Sequence, residues 1–145
     1  MIVPDVNVLI YAMDVNSPHH ESAWAWWESA AKGTEHIGFD WGVINGYVRI
    51  TTNPRVMTQP LTVKQSTHHV HAWLSLPRAR ILNPGPEHLH IIERLLAPFG
   101  RGGDLVSDAH LAALAIENGG TVYSADDDFS RFDRVSWVNP LTSVE

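Results

Sequence analysis

Aspartates recur in this chain where an apolar run gives way to a polar turn. Asp5 follows Ile2-Val-Pro4, Asp126 follows Thr121 to Ser124, and Asp128 lies two residues further on. Asp108 sits near the start of an Ala-rich stretch, with Asp104 one turn earlier. Segments that meet at one end of a fold bring such carboxylates together, and close carboxylates repel unless they share protons or bind a cation. Cysteine is absent, so the donors are mainly oxygen and the fitting ion is a hard one, Mg²⁺ or Mn²⁺ in its place. Such an ion lowers the pKa of a bound water and stabilises charge on a phosphoryl oxygen, which suits phosphodiester hydrolysis. For each aspartate taken singly an alternative stays open, because Asp also ends strands and caps helices. Asp104 and Ser107 are candidate caps of the Ala-rich helix, Asp104 alternatively a supporting group, and Asp127 reads as a solvated turn residue.

The elements that must position these groups alternate. Ile2 to Pro4 reads as a buried strand and Asn7 to Met13 as a short helix capped by Asn7. Ser17 as cap, Pro18 in the first turn and Glu21 behind it open a second helix that Gly33 closes. Ala23, Trp24, Trp27 and Ala31 repeat along it at helical spacing. His36 to Phe39 reads as a second strand, and Trp41 to Thr52 puts Trp41, Ile44, Tyr47 and Val48 on one side before Asn53-Pro54 stops it. Thr62-Val-Lys-Gln65 is a capping box for a helix through about Leu74. A third strand is expected over Ala79 to Leu82, then a helix over Pro86 to Phe99 with Leu89, Ile92, Leu96 and Phe99 inward and Gly100 at its end. The Ala-rich helix runs from Leu105 to Asn118 and stops at Gly119-Gly120; Thr121 to Ser124 is a fourth strand and Ser136 to Val138 a candidate fifth. Strands alternating with helices imply crossover units, so the fold class is α/β. The expectation is a three-layer α/β/α domain around a central, mostly parallel sheet of four to five strands. Asp5 and Asp126 then stand at the carboxyl ends of their strands, the edge where open parallel sheets bind ligands.

Composition bounds the function. A chain of 145 residues fits a single domain over 1–145. Ten Lys and Arg against sixteen Asp and Glu give a net charge of −6, which speaks against sequence-independent coating of DNA. It leaves room for an enzyme that meets nucleic acid locally and takes its positive charge from a metal. Without cysteine there is no disulfide framework, thiolate zinc site, iron–sulfur cluster or cysteine nucleophile. The opening segment has no basic region, and Asp5 and Asp14 bracket too short an apolar stretch for a signal or membrane span. A cytoplasmic protein with no membrane association is the expectation.

Four stretches carry a resemblance: Asp5-Val-Asn-Val-Leu-Ile-Tyr-Ala12, Tyr47-Val-Arg-Ile-Thr-Thr-Asn-Pro-Arg-Val56, Asp104-Leu-Val-Ser-Asp-Ala-His-Leu-Ala-Ala-Leu-Ala115 and Ser124-Ala-Asp-Asp-Asp-Phe129. Each is weak alone, but in this order and spacing they resemble PIN-domain ribonucleases, above all the VapC-type toxins of bacterial toxin–antitoxin modules. The resemblance continues through Arg131-Phe132 and Trp137-Val-Asn-Pro140. It implies a Mg²⁺-dependent endoribonuclease with RNA as substrate, a homodimer, and a small VapB-type antitoxin as inhibitory partner. Asp5 matches the family's first metal carboxylate, Asp108 its third acidic position, Asp126 its fourth, and Asp128 the additional acid of the turn. Asn7 matches the small polar position beside the first Asp. The implied ligands are Asp5 and Asp108 directly, with Asp126 and Asp128 acting through water or orienting the attacking water. One departure stands out: many members carry Glu early in the helix after the second strand, roughly where Ile44 stands. Asp40 and Asn45 are the nearest substitutes. The missing carboxylate implies weaker metal binding and a single-metal centre. Related toxins with Trp near position 41 also lack this Glu, so its absence is not read as inactivation.

Other features have simpler readings. His68, His69 and His71 have no carboxylate beside them and read as a solvated helix face; His19 and His20 sit in a first helical turn. His110 lies two residues after Asp108, about 160° from it around a helix, a poor place for a general base. Trp24 and Trp27 read as core or subunit interface. Trp26 is a candidate antitoxin contact, alongside the short helix carrying Leu9 and Tyr11. Arg49 and Arg55 are candidates for RNA phosphates or an antitoxin carboxylate, and alternatively surface ion pairs. Two rival functions remain. Phosphate-ester transfer of the haloacid-dehalogenase type also starts with a strand-end Asp, but wants a second acid where Asn7 stands and a partner Lys motif. A catalytically weakened PIN-like domain that binds antitoxin or RNA without cleavage is motivated by Ile44.

Overall fold

Strands of three residues with nearly all side chains apolar, such as Ile2-Val-Pro4 and Ile37-Gly-Phe39, bury both faces and so belong in a parallel sheet covered by helices. The structure, a computed structural model, describes residues 1–142; the last three positions of the expected 1–145 domain lie outside the described residues. Its five strands are β1 (Ile2–Pro4), β2 (Ile37–Phe39), β3 (Ala79–Ile81), β4 (Thr121–Tyr123) and β5 (Trp137–Val138). They form one sheet in the order β3-β2-β1-β4-β5, and every pairing is parallel.

Six helices make the crossovers. α1 (Val6–Met13) and α2 (His20–Lys32) join β1 to β2, α3 (Trp41–Thr51) and α4 (Val63–Leu74) join β2 to β3, and α5 (His88–Leu96) and α6 (Leu105–Glu117) join β3 to β4. The first two crossovers step outward from β1; the third returns across β2 and β1 to its other side. With right-handed crossovers, α1 to α4 therefore cover one face and α5 and α6 the other, giving the three layers. The direction reverses between β1 and β4, so a crevice opens above their carboxyl ends.

Several local expectations change. The cap of α1 is Asp5, whose side chain accepts from the Val6 N–H, and Asn7 is free for another use. α2 starts at His20 rather than at Ser17-Pro18; the Ser17 hydroxyl accepts instead from the His19 N–H. Its inward residues are Ala23, Trp27 and Ala30, while Trp24 is 42% exposed. Trp26 is half-buried, stacks on Tyr123 at 5.6 Å and lines a surface hollow with it, whereas Leu9 is fully buried and offers no surface to a partner. In α3 Ile44 and Tyr47 go inward but Trp41 is 51% exposed. α5 buries Ile91 and Leu95 and leaves Leu89 68% exposed. Ile91, Ile92, Leu95 and Leu96 form its apolar face, and Leu89 falls at the edge of that face. His88, bonded across to Glu117 on α6, shares the buried side with Ile91 and Leu95, three and seven positions later. The capping box closes as expected: the Thr62 hydroxyl accepts from the Gln65 N–H at 3.1 Å and the Gln65 side chain accepts from the Thr62 N–H at 2.9 Å. Gly119, at φ 64°, takes the left-handed conformation that ends α6.

Aromatic rings lock the α1–α4 layer to the sheet. Trp73 on α4 lies parallel to Phe39 of β2 at 6.2 Å, and Tyr47 and Trp27 meet it edge-on at 4.6 and 5.8 Å. Buried hydroxyls between α3 and α4 are satisfied, Thr51 donating to the Tyr47 carbonyl at 2.7 Å and bonding Ser66 at 2.8 Å. Trp73→Ala is expected to cost about 3–5 kcal/mol of unfolding free energy by urea titration. Trp24→Ala should cost less than about 0.5 kcal/mol in the same measurement.

Candidate active site

Pro4 of β1 pairs with Tyr123 of β4, so the two chains leaving the sheet there run side by side. The Ser124 hydroxyl joins them. It donates to Asp5 Oδ2 at 2.8 Å and accepts from Asn7 Nδ2 at 3.1 Å and from the Asp126 N–H at 3.0 Å. Asn7 Oδ1 accepts from the Ala125 N–H at 3.1 Å, and Trp137 on β5 donates its indole N–H to the Ser124 carbonyl at 3.0 Å. Asn7 thus bridges Ser124 and Ala125 beside Asp5, its side chain free to do so because Asp5 itself caps α1. In the sequence Ser124 stands out as a strand end and the first residue of a motif but not as a site residue; a serine ending a buried strand, one residue before an Asp turn, is the signal that points to it.

Asp126 turns the chain by accepting the Asp128 N–H at 2.9 Å, which starts the short 3-10 turn Asp127–Arg131 and aims Asp128 back. Asp108 comes from the first turn of α6. Carboxylate oxygens of Asp108, Asp126 and Asp128 all lie within 4.8 Å of one another, and the three side chains are half-buried. Asp5 stands outside that group but close enough for its charge to count. Burial, and then the charges of Asp126, Asp5 and Asp128, push the Asp108 carboxyl up to about 7. Burial also raises Asp5, against the hydrogen bonds from Ser124 and Val6, with the charge of Asp126 adding to the rise. Three oxygen donors gathered where each raises the charging cost of the next fit a hard divalent cation, which such crowding favours. Arg131 partly offsets the repulsion, reaching Asp128 at 3.3 Å with its guanidinium 4.8 Å from the Phe99 ring centre.

Asp104 precedes α6 without making a cap bond, contrary to its reading as a cap. It is exposed and lines a hollow with Arg101, Asp128 and Arg131. Asp127 is exposed, as a solvated turn residue should be.

The crevice continues as a cleft of about 490 Å³ bordered by Asp5, Asp40, Asp108, Arg49, His88 and His110, with Val43, Ile92 and Val106 as apolar lining. Ile44 lies in the hydrophobic core and takes no part. His110 does face this cleft, although it points away from Asp108 around α6, because the cleft follows the helix past its first turn. Its Nε2 meets Asp40 Oδ1 at 3.1 Å and its Nδ1 meets His88 Nε2 at 2.8 Å; His88 Nδ1 bonds Glu117 Oε1. The second Glu117 oxygen accepts from the Gly85 N–H at 2.6 Å. Both ends of this chain are carboxylates, acceptors only when ionised. The outer imidazole nitrogens then carry protons, and the inner contact needs one more. The bond to Asp40 correspondingly raises the His110 pKa against its partial burial. His110 has no free nitrogen for general base work, which agrees with the expectation for a different reason. His69, read as solvated, instead bonds the buried Tyr47 hydroxyl at 2.7 Å, while His68 and His71 are exposed.

Comparison with known proteins identifies the family and the fold. Residues 2–135 match the PIN domain family model. Ribonuclease VapC33 of Mycobacterium tuberculosis is 39% identical over 141 residues, 97% of this chain and 99% of its own length. Ribonuclease VapC37 of the same organism is 39% identical over 140 residues, 97% of each chain. Among solved structures, a chain of the VapBC2 complex of Rickettsia felis, bound to a DNA fragment from its promoter, superposes with a TM-score of 0.69 at 19% identity, covering 96% of this chain and 98% of that one. No helix among the described residues is long and apolar enough to cross a membrane. An all-parallel five-stranded sheet, an acidic crevice at its switch point and whole-length relatives agree: the chain belongs to the PIN-domain family, in its VapC group.

Proposed function

We propose that this chain is a Mg²⁺-dependent endoribonuclease that hydrolyses RNA phosphodiester bonds by attack of water, the toxic component of a type II toxin–antitoxin system. The reading takes residues 1–145 as one catalytic domain acting in the cytoplasm, with a VapB-type antitoxin and a second copy of itself as partners. The observation that carries it is the gathering of Asp108, Asp126 and Asp128 within 4.8 Å, beside Asp5, in the crevice. The antitoxin is supported by the VapBC complex of similar fold, and the homodimer by family resemblance.

A bound Mg²⁺, or Mn²⁺ by the same chemistry, supplies Lewis acidity at a phosphoryl oxygen and lowers the pKa of water. Asp5 and Asp108 are the direct ligands in this reading. Asp5 Oδ1 accepts only the Val6 N–H and keeps a lone pair for an ion, while Oδ2 accepts from the Ser124 hydroxyl and, at 3.5 Å, from Asn7 Nδ2. Asp126 and Asp128 complete the shell through water or orient the attacking water. Ser124 and Asn7 keep Asp5 aimed at the site, and Arg49 on the cleft wall meets a phosphate of the RNA. The lack of an acid in α3 near Ile44, roughly where many family members carry Glu, motivates a second reading, a domain that binds antitoxin or RNA without cutting.

Incubating antitoxin-free protein with total RNA in Mg²⁺, Mn²⁺ or EDTA separates the two. Discrete fragments that need the metal, reduced at least about 100-fold in Asp5→Asn and Asp108→Asn, are expected of the nuclease. No cleavage by folded protein in either metal favours the binding-only reading. Stability offers a second check. The folded-state pKa of Asp108, about 7, exceeds the usual unfolded value of about 3.9. Between these values the folded protein binds more protons at this site, so metal-free stability falls as pH rises. His110, also raised, contributes in the same direction. Thermal unfolding in EDTA from about pH 5 to about pH 8 is therefore expected to fall more steeply for the wild type than for Asp108→Asn. Equal slopes contradict the assignment of the crowding to Asp108.

A further inference from the structure

We propose that Asp40 accepts a hydrogen bond from RNA bound in the cleft, and that His110, His88 and Glu117 are positioning residues that hold its carboxylate for that contact. The inference rests on the nuclease reading and adds a substrate-recognising residue to it.

Asp40 ends β2 and is only 6% exposed, yet it borders the cleft. His110 occupies its Oδ1. Its Oδ2 has no hydrogen-bond partner among the described residues, and none of their fully buried side-chain oxygens or nitrogens is left unsatisfied, so Oδ2 keeps access to solvent; it lies against Gly42, which lines the cleft with Asp40. The backbone makes room for it. A Cβ on residue 42 stands 2.7 Å from Oδ2, so Gly42 allows the carboxylate this position. On the other side the chain of bonds runs through His110 and His88 to Glu117, whose side chain is 13% exposed. His110 and Glu117 lie seven residues apart on α6, about two turns and thus on one face.

A purely structural pin between α5 and α6 does not require this. Apolar pairs hold helices together without burying two carboxylates and an imidazole and half-burying a second, and buried ion pairs contribute little net stability against hydrophobic replacements. The chain also ends on an acceptor that opens to the crevice, beyond the contact between the two helices. Asp40 stands outside the Asp108, Asp126 and Asp128 group, so its role differs from theirs. A carboxylate repels phosphate and accepts only from donors. RNA offers O–H donors in its 2′-hydroxyls and N–H donors on its base edges.

The test measures kcat and KM on a short single-stranded RNA with one cleavage site. Asn at position 40 keeps an oxygen for the His110 N–H while turning an amide donor toward the cleft, so the fold is retained and the acceptor is lost. Asp40→Asn is expected to lower kcat/KM about 10- to 100-fold, and Glu117→Gln to lower it less, with wild-type circular dichroism in both. Single 2′-deoxy substitutions and base analogues lacking one N–H then locate the donor: the substitution that slows the wild type should leave Asp40→Asn unaffected. Wild-type kcat/KM in Asp40→Asn overturns the contact, and wild-type kcat/KM in Glu117→Gln overturns the positioning role. In both cases the wild type still cuts, which distinguishes these failures from failure of the nuclease reading. A wild-type protein that cuts no RNA overturns both.

Discussion

Bringing the Asp108, Asp126 and Asp128 oxygens within 4.8 Å of one another works against folding, since half-buried carboxylates repel and lose solvation together. Everything at this end of the sheet can be read as the means of holding them there. Parallel pairing of β1 with β4 fixes where Asp5 and Ser124 leave the sheet. The Ser124 hydroxyl then ties Asp5, Asn7 and the Asp126 backbone into one unit, and the β5 indole holds Ser124 from behind. Asp126 in turn caps the bend that brings Asp128 back. Each acid except Asp108 is thus fixed by a hydrogen bond that also ends a strand or starts a turn. Asp108 has no such bond and carries the largest rise in pKa of the carboxyls here, to about 7.

α6 is the element common to both walls of the crevice. Its first turn supplies Asp108; further along, His110 and Glu117 tie it to the end of β2 and to α5. The third crossover, which returns over the sheet from β3 to β4, therefore connects the acidic group with Asp40. Its Ala-rich sequence suits this, because Ala109, Ala112, Ala113 and Ala115 are all buried and small side chains let the helix approach its neighbours closely.

Much of this was legible in the sequence where one local signal has one physical meaning. The Thr62 capping box, the apolar strands and their alternation with helices are of that kind, and the observed α/β sheet follows them. The aspartates were legible because each follows a strand or opens a helix. Where two local solutions are nearly equal, tertiary contacts decided. Asp5 rather than Asn7 caps α1, since Ser124 and Ala125, more than a hundred residues away, engage Asn7. Leu89 lies at the edge of the apolar face of α5, whereas Ile91 shares the side on which His88 bonds Glu117 and is buried. Trp24 fits a helical stripe by spacing but faces outward, the buried side of α2 being that of Ala23, Trp27 and Ala30. The link from His110 to His88 and Asp40 was illegible for the same reason: angles around one helix say nothing of the side chains that neighbouring elements bring to it.

On the proposed reading the crowded carboxylates hold a divalent cation. Calorimetric titration of Mn²⁺ into RNA-free and antitoxin-free protein tests it most directly, with Asp108→Asn alongside. Saturable binding by the wild type, proton release that grows as pH falls below about 7, and loss of both in the variant are predicted. No saturable binding by folded wild-type protein, or binding unchanged in Asp108→Asn, contradicts the account.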